Sequence, residues 1–410
     1  MTSQDSLMKP VWRWFGPNDP VTLEQIKQAG ATGVVTALHD YPAGQQWPVE
    51  EIREINDLIV DHGLTWDVCE SIWMPDAIKL HGAAATAELG AWIDTMRALA
   101  DVGVKTICYN FMPLLDWTRT DLEYQIEGRG RALRFDMVDF AVFDIHVLMR
   151  EDAEQDYNLG IVRQAHERYA QMTSEDDALL ERNIIAGLPG SATAFTSKQL
   201  SEEIARFAQL SHADLHANLA SFLEVIVPIA QALNVRLAIH PDDPPMSLFG
   251  LPRCVSTADD LRTILQVCPS PANGLTFCTG SLGAHIQNDL PAMAQEFGDH
   301  VHFAHLRNVK REPDGSFHES AVFDGSTNMI EVLKALLETK SRNGGAPLPF
   351  RPDHGHLLDV ERDQKTNPGY SYVGRLKGLS ELNGAIAALS AVPAETKASG
   401  GNCGPNIRYH

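Results

Sequence analysis

The sequence predicts an α/β chain closed into a barrel of eight parallel strands, a (β/α)8 TIM barrel. Three observations carry that reading. Short β-rich runs alternate with helix-period segments, the pattern of a parallel sheet. The runs number eight, the count that closes a barrel. An open doubly wound sheet is the alternative, but the first run carries no G-x-G-x-x-G turn, which weakens its dinucleotide-binding form.

The first strand is Val11–Gly16 (VWRWFG), followed by a helix over Val21–Ala29 that Gly30 stops. Gly33–His39 is the second, and the helix after it, Pro48–His62, has Pro at its start and Gly63 past its end. Thr65–Ser71 and Lys105–Phe111 continue the alternation, with the amphipathic stretch Ala87–Val102 between them. The pattern then pauses. Residues 113–215 are rich in helix formers and charge and show one hairpin, Gln125–Asp136. They read as a mostly helical insertion in a βα loop, placed to cover the barrel mouth or build a subunit contact. Arg119, Tyr124 and Arg134 are its candidates for substrate contact. The alternation resumes with Arg236–Asp243, Gly274–Ser281, Val301–Asn308 and Pro347–His354, separated by helices of which Asp259–Val267, Asp289–Phe297 and Thr327–Thr339 are clearest. A Pro/Gly-rich loop, Asn367–Gly378, leads into the final helix. One barrel domain therefore spans residues 11–390, and residues 391–410, without periodicity, read as a flexible tail.

Composition narrows the function classes. In 410 residues, 44% are hydrophobic and 21% charged, enough apolar material for a large core. A net charge of −21 argues against a nucleic-acid partner, which needs a basic patch. It still permits a small anionic substrate, because a metal and a few cations can invert the potential inside one pocket. The six cysteines form no C-x-x-C pair and read as reduced thiols. Met1–Pro10 lacks the apolar core of a secretory signal, and no uninterrupted apolar run reaches membrane-span length. The expectation is a cytoplasmic protein without membrane or nucleic-acid partners, with a homo-oligomer left open.

The last four strands each end in a metal-ligating group: His240 in HPDDPP, Cys278 in FCTGS, His305 in HLRN and Asp353 in RPDHGH. Singly, each has an ordinary structural role: a bonded histidine, a small buried thiol, a capping aspartate. In a parallel barrel, however, all four ends lie on the active-site face. Two imidazoles, a thiolate and a carboxylate suit Mn2+, Fe2+ or Zn2+. Arg307 follows His305 by two, so strand alternation puts both on one face. Arg307 and Arg13 are candidate anchors for a substrate carboxylate, by bidentate pairing. The alternative for both is an ion pair at the rim, which for Arg13 is as good a reading as the anchor. Glu70 and Asn110 close the third and fourth strands on the same side; Glu70 either touches substrate or orients a neighbour. His354 follows Asp353 directly and should point elsewhere unless the strand has already opened into its loop. Tyr370 or Tyr372, in the loop after the eighth strand, either folds back over the mouth or pins that loop to the rim.

These residues resemble a known family. The runs WRWFGPNDP, AGATGVVTALH, CYNFMP, DWTRTDLEY, NIIAGLPG, HPDDPP, CTGS, HLRN, RPDHGH and NPGYS are similar to those of bacterial D-mannonate dehydratases, from Trp12 to about Leu389. The resemblance implies a xylose-isomerase-like barrel using Mn2+ or Fe2+ to dehydrate D-mannonate to 2-dehydro-3-deoxy-D-gluconate in hexuronate catabolism. It implies His240, Cys278, His305 and Asp353 as ligands, and His354 and Tyr370 as the acid–base pair. The nearest rival is a metal-dependent sugar or sugar-acid isomerase or epimerase on the same barrel. A DNA-repair endonuclease conflicts with the charge, and a non-catalytic binding protein with the intact ligand set.

Overall fold

A computed structural model of the chain describes residues 7–186, 196–344 and 346–391. Its strands are β1 (Met8–Arg13), β2 (Gly33–Thr36), β3 (Thr65–Glu70), β4 (Thr106–Tyr109), β5 (Asp121–Ile126), β6 (Gly130–Phe135), β7 (Arg236–Ile239), β8 (Asn273–Cys278), β9 (Val301–His305), β10 (Asn308–Arg311), β11 (Phe317–Ser320) and β12 (Leu348–Arg351). Eight of them close a parallel barrel in the order β1-β12-β9-β8-β7-β4-β3-β2. The seam is parallel too, Met8 facing Leu348 and Pro10 facing Phe350. Strands β4, β8, β9 and β12 are buried along their whole length, as expected where one face looks into the barrel and the other lies under helices. Val11, Val35, Val68, Cys108, Ala238 and Phe303 fill the interior as a separate apolar plug.

Local chemistry sets the helix ends. Capping boxes start the helices Leu23–Gln28, His212–Ala232 and Ala258–Val267 through Thr22–Gln25, Ser211–Asp214 and Thr257–Asp260. Helix Val49–Asp61 begins after Pro48 and stops before Gly63, which takes a positive φ of 72°. Helix His212–Ala232 is apolar and long enough to cross a membrane by length and composition, which the search for uninterrupted apolar runs did not anticipate. Leu215, Leu219, Phe222, Leu223, Ile226 and Val227 bury its apolar face in the barrel core.

Every barrel strand ends one to four residues before its sequence pattern does. The residues past each end stay largely buried, apolar ones such as Trp14 and Leu306 beside polar ones such as Asp243, Thr279 and Asp353, because they build the wall of the mouth. Composition alone therefore cannot mark the exit from the strand.

Between β4 and helix His212–Ala232 lie the hairpin β5–β6 and helices including Met137–Val142, Leu159–Tyr169, Ser174–Ile185 and Ser197–Phe207. A second hairpin, β10–β11, follows β9 and joins the first in an antiparallel sheet ordered β10-β11-β6-β5. Phe317 pairs with Phe135 across the junction. Together they form a second apolar core, with Phe140, Phe143, Ile184, Phe207 and Phe249 among its members. The mainly helical reading of this region missed that sheet. Part of the run NIIAGLPG and the expected tail beyond residue 391 lie outside the described residues.

Candidate active site

The strand exits bring three of the four expected ligands into one cluster. Cys278 and His305 are the last residues of β8 and β9 and are fully buried. His240 follows β7 by one residue, and its backbone N–H donates to the Tyr109 carbonyl. One ligand atom each from His240, Cys278 and His305 lie within 4.8 Å of one another. His240 Nδ1 lies 2.7 Å from the Pro241 carbonyl, which fixes its proton there and turns the Nε2 lone pair inward, 3.2 Å from His305 Nδ1. Burial alone would raise the Cys278 thiol, but the Arg307 guanidinium and bonds with His240 and His305 hold it well below its ordinary range. Backbone and hydroxyl of Ser281 also approach the sulfur, at 3.4 and 3.1 Å.

Asp353 completes the group from one side. Its Oδ2 is 3.9 Å from both Cys278 Sγ and His305 Nδ1. Asp353 takes a φ of 61°, a conformation L side chains seldom adopt, two residues after β12 has ended. Burial opposes its charge, yet Arg351, His354, His305 and Arg307 keep the carboxyl well below the usual range. Two imidazoles, a thiolate and a carboxylate converging in this way fit a divalent transition ion. On the far side, His305 Nε2 lies 3.6 Å from Glu70 Oε2, and neither atom has a hydrogen-bond partner. Such a carboxylate behind an imidazole orients a ligating histidine.

Above the cluster lies a small cavity lined by Arg13, Glu70, Ser71, Trp73, Asn110, Asp116, Trp117, His240, Asp243, Arg351, Asp353, His354 and Tyr370. Arg13, Glu70 and Asn110, the candidate substrate contacts, are thus among its lining residues. Glu70 is held by Arg351 at 3.0 Å and Arg13 at 3.5 Å, so much of its charge serves to fix these cations. A larger concavity of about 690 Å3 lies outside, along Arg129, Arg131, Arg362 and Lys377. Those four cations have acidic partners (Asp324, Glu123, Asp359 and Glu381), whereas His240 and Asp353 of the expected ligands line the small cavity.

His354 and Tyr370 meet edge to face at 5.1 Å between ring centroids. With β12 finished at Arg351, strand alternation no longer applies, and His354 enters the same cavity as Asp353. Its Nδ1 is 3.0 Å from Glu319 Oε1, which leaves Nε2 toward the cavity. Burial pushes the Tyr370 phenol up to about 12 despite the nearby Arg351. Phe15 packs against Tyr370 at 4.9 Å and Trp117 against His354 at 6.1 Å.

Arg307 departs from expectation. It is fully buried and meets Asp243 at 2.5 Å, Asp353 at 2.6 Å and Glu319, with none of its donors facing the cavity. The strand ends at His305, so the assumed alternation fails two residues later. Gly280 makes the room: a Cβ there would lie 2.3 Å from the guanidinium carbon. Arg119 is likewise spent, bonding both oxygens of Asp243 at 2.7 and 3.2 Å and Glu319 at 3.1 Å. Arg134 pairs with Glu312 and Asp136 and lies over Tyr124, away from the mouth. From the insertion it is Asp116 and Trp117 that reach the cavity. Asp243, Glu319 and Arg351 had not been singled out; Asp243, inside HPDDPP, was within reach of the motif reading.

Donor atoms gathered at the C-terminal mouth of a parallel barrel, with a histidine and a tyrosine beside them, define a metal-dependent barrel enzyme. The chain belongs to the D-mannonate dehydratase (UxuA) family, whose model matches residues 8–396. It is 51% identical over 386 residues to mannonate dehydratase 2 of Agrobacterium fabrum, covering 93% of this chain and 97% of that one. It is 48% identical over 391 residues to a mannonate dehydratase of Saccharophagus degradans, covering 94% and 98%. Among solved structures, the mannonate dehydratase of Streptococcus suis serotype 2 superposes with a TM-score of 0.74 at 30% identity, covering 96% of this chain and 99% of that one.

Proposed function

We propose that this chain is a hydro-lyase that converts D-mannonate to 2-dehydro-3-deoxy-D-gluconate and water in hexuronate catabolism, with His240, Cys278, His305 and Asp353 holding Mn2+ or Fe2+. Family membership and the substrate of the two relatives support the reaction. The observation that carries the mechanism is the His354–Tyr370 pair beside the ligand cluster. A divalent cation in that cluster supplies Lewis-acid stabilisation for the negative charge that develops as the C2 proton leaves.

The protein's own groups do the rest. Arg13, at the cavity wall and over the Phe15 ring at 5.0 Å, anchors the substrate carboxylate. His354 takes the C2 proton on Nε2, while Glu319 holds the Nδ1 proton and stabilises the imidazolium that forms. Tyr370, kept a neutral phenol by burial, gives its proton to the C3 hydroxyl as the C3–O bond breaks and water departs. The C2–C3 enol then takes a proton at C3 and gives up that of its C2 hydroxyl, forming the 2-keto-3-deoxy acid and restoring His354 and Tyr370 to their starting protonation. Arg307 and Arg119 act behind the site, holding Asp243, Asp353 and Glu319 in place.

The same reading puts the protein in the cytoplasm; Cys69, Cys108, Cys254, Cys268 and Cys278 are all free, in keeping with a reducing compartment. Incubation with a panel of aldonates and Mn2+, followed by mass analysis, tests it. D-mannonate should yield a 2-keto-3-deoxy acid lighter by one water. A product of unchanged mass would make the enzyme an isomerase or epimerase.

A further inference from the structure

A second group of metal-ligating side chains lies in the outer helical layer, where the two helices that flank β7 begin. His212 and His216 are one turn apart at the start of helix His212–Ala232, and Asp260 is in the first turn of helix Ala258–Val267. Positions i and i+4 share a helix face, and the two imidazole centroids are 4.4 Å apart. One ligand atom from each of the three residues lies within 4.8 Å of the others. His216 Nε2 is 3.6 Å from Asp260 Oδ1, near the ~3.4 Å between donors of a tetrahedral ion with bonds of about 2.0–2.1 Å.

Two features show the donors already arranged. Asp260 Oδ2 accepts from the Ser256 and Thr257 backbone at 3.0 and 2.9 Å and from the Thr257 hydroxyl at 2.9 Å, which fixes the carboxylate with Oδ1 toward His216. His216 Nε2 is itself buried and has no hydrogen-bond partner. A buried imidazole nitrogen facing an immobilised carboxylate, with a second imidazole beside it, forms a donor set that a divalent cation satisfies.

We propose that His212, His216 and Asp260 bind a divalent transition ion of the zinc type, separate from the buried cluster and without a sulfur ligand. Solvent can fill the remaining position, since His212 is exposed. The positive ends of both helices oppose the cation. The Asp260 charge offsets them, so this is the weaker of the two sites. Its occupant clamps together the helices that flank β7, the strand leading to His240. Ser256, which bonds Asp260, also donates its hydroxyl to Asp242 at 2.7 Å, two residues past His240.

Equilibrium dialysis of the full chain against Zn2+, with ions counted per chain, tests the site. His212→Ala removes a side chain that is exposed, and Asp260→Asn keeps the capping acceptor while removing the charge. Wild type should bind one more zinc ion than either variant, and Cys278→Ser should retain that extra ion. Zn2+ should raise the Tm of Cys278→Ser protein more than that of the Cys278→Ser/His212→Ala double variant. Equal zinc counts in wild type and His212→Ala, or an Asp260→Asn protein that binds as wild type, would overturn the proposal.

Discussion

The two halves of the barrel rim are built differently. The later half, β7 to β12, supplies lone-pair and anionic donors: His240, Cys278, His305 and Asp353. The earlier half, with the segment after β4, supplies a cation, an amide and aromatic walls: Arg13, Asn110, Trp73 and Trp117. Glu70 crosses between them, reaching Arg13 on its own side and His305 and Arg351 on the other. The contrast teaches a division of labour. On the proposed function, one half would bind the group that stabilises charge, the other would recognise the substrate, and the proposed proton-transfer pair stands where they meet.

The largest effect expected from that division falls on the donor half. His240→Ala and Asp353→Ala should lose metal and turnover together, and excess chelator should do the same to wild type until Mn2+ or Fe2+ is returned. Metal content by elemental analysis, read beside turnover, checks this. Full activity in chelator with no metal detected would erase the contrast.

A smaller loss sharpens the boundary between the halves. His354→Asn and Tyr370→Phe should each lower turnover by about 10²–10⁴-fold while the metal content stays at the wild-type level. If His354→Asn protein loses its ion as Asp353→Ala protein does, the histidine belongs to the donor half and the acid–base assignment fails.

The smallest effect concerns stability against pH. Burial opposes the charges of Glu70, Asp243, Glu319 and Asp353, yet their arginine partners leave all four carboxyls below their ordinary values. A carboxyl depressed in the fold contributes stability that is present above its unfolded value, about 4, and lost as pH falls below that. The Tm should therefore hold near neutrality and drop as pH falls below about 4. Asp243→Ala should cost about 3–5 kcal/mol at neutral pH, because it strips Arg119 and Arg307 of a buried partner. Chemical denaturation measures it. A variant as stable as wild type would mean that the arginines find water or other partners.

Much of this was legible before any coordinates. The barrel followed from eight runs with the right spacing, and the donor half from four metal-ligating residue types at successive strand exits. The antiparallel sheet was half visible: the hairpin appeared as Gln125–Asp136 against an observed β5–β6 of Asp121–Phe135. Its partner β10–β11 escaped because Asn308 was read as the end of the previous strand. A signal was present in Asp314–Gly315, a turn pair between short β-rich runs, with Gly315 at φ 97°.

What the sequence determined by itself is what depends on local periodicity and residue chemistry: the helix stops, the strand exits and the ligand types that stand there. What tertiary structure alone decided is how the buried charges are spent. Arg307 and Arg13 looked alike as candidate anchors, yet one is consumed by Asp243, Glu319 and Asp353 while the other borders the cavity. Glu319 lies on a hairpin outside the barrel, and only folding brings it within 3.0 Å of His354. An ion pair is fixed by distance in space, and residues far apart in the chain carry no periodic signal of their approach.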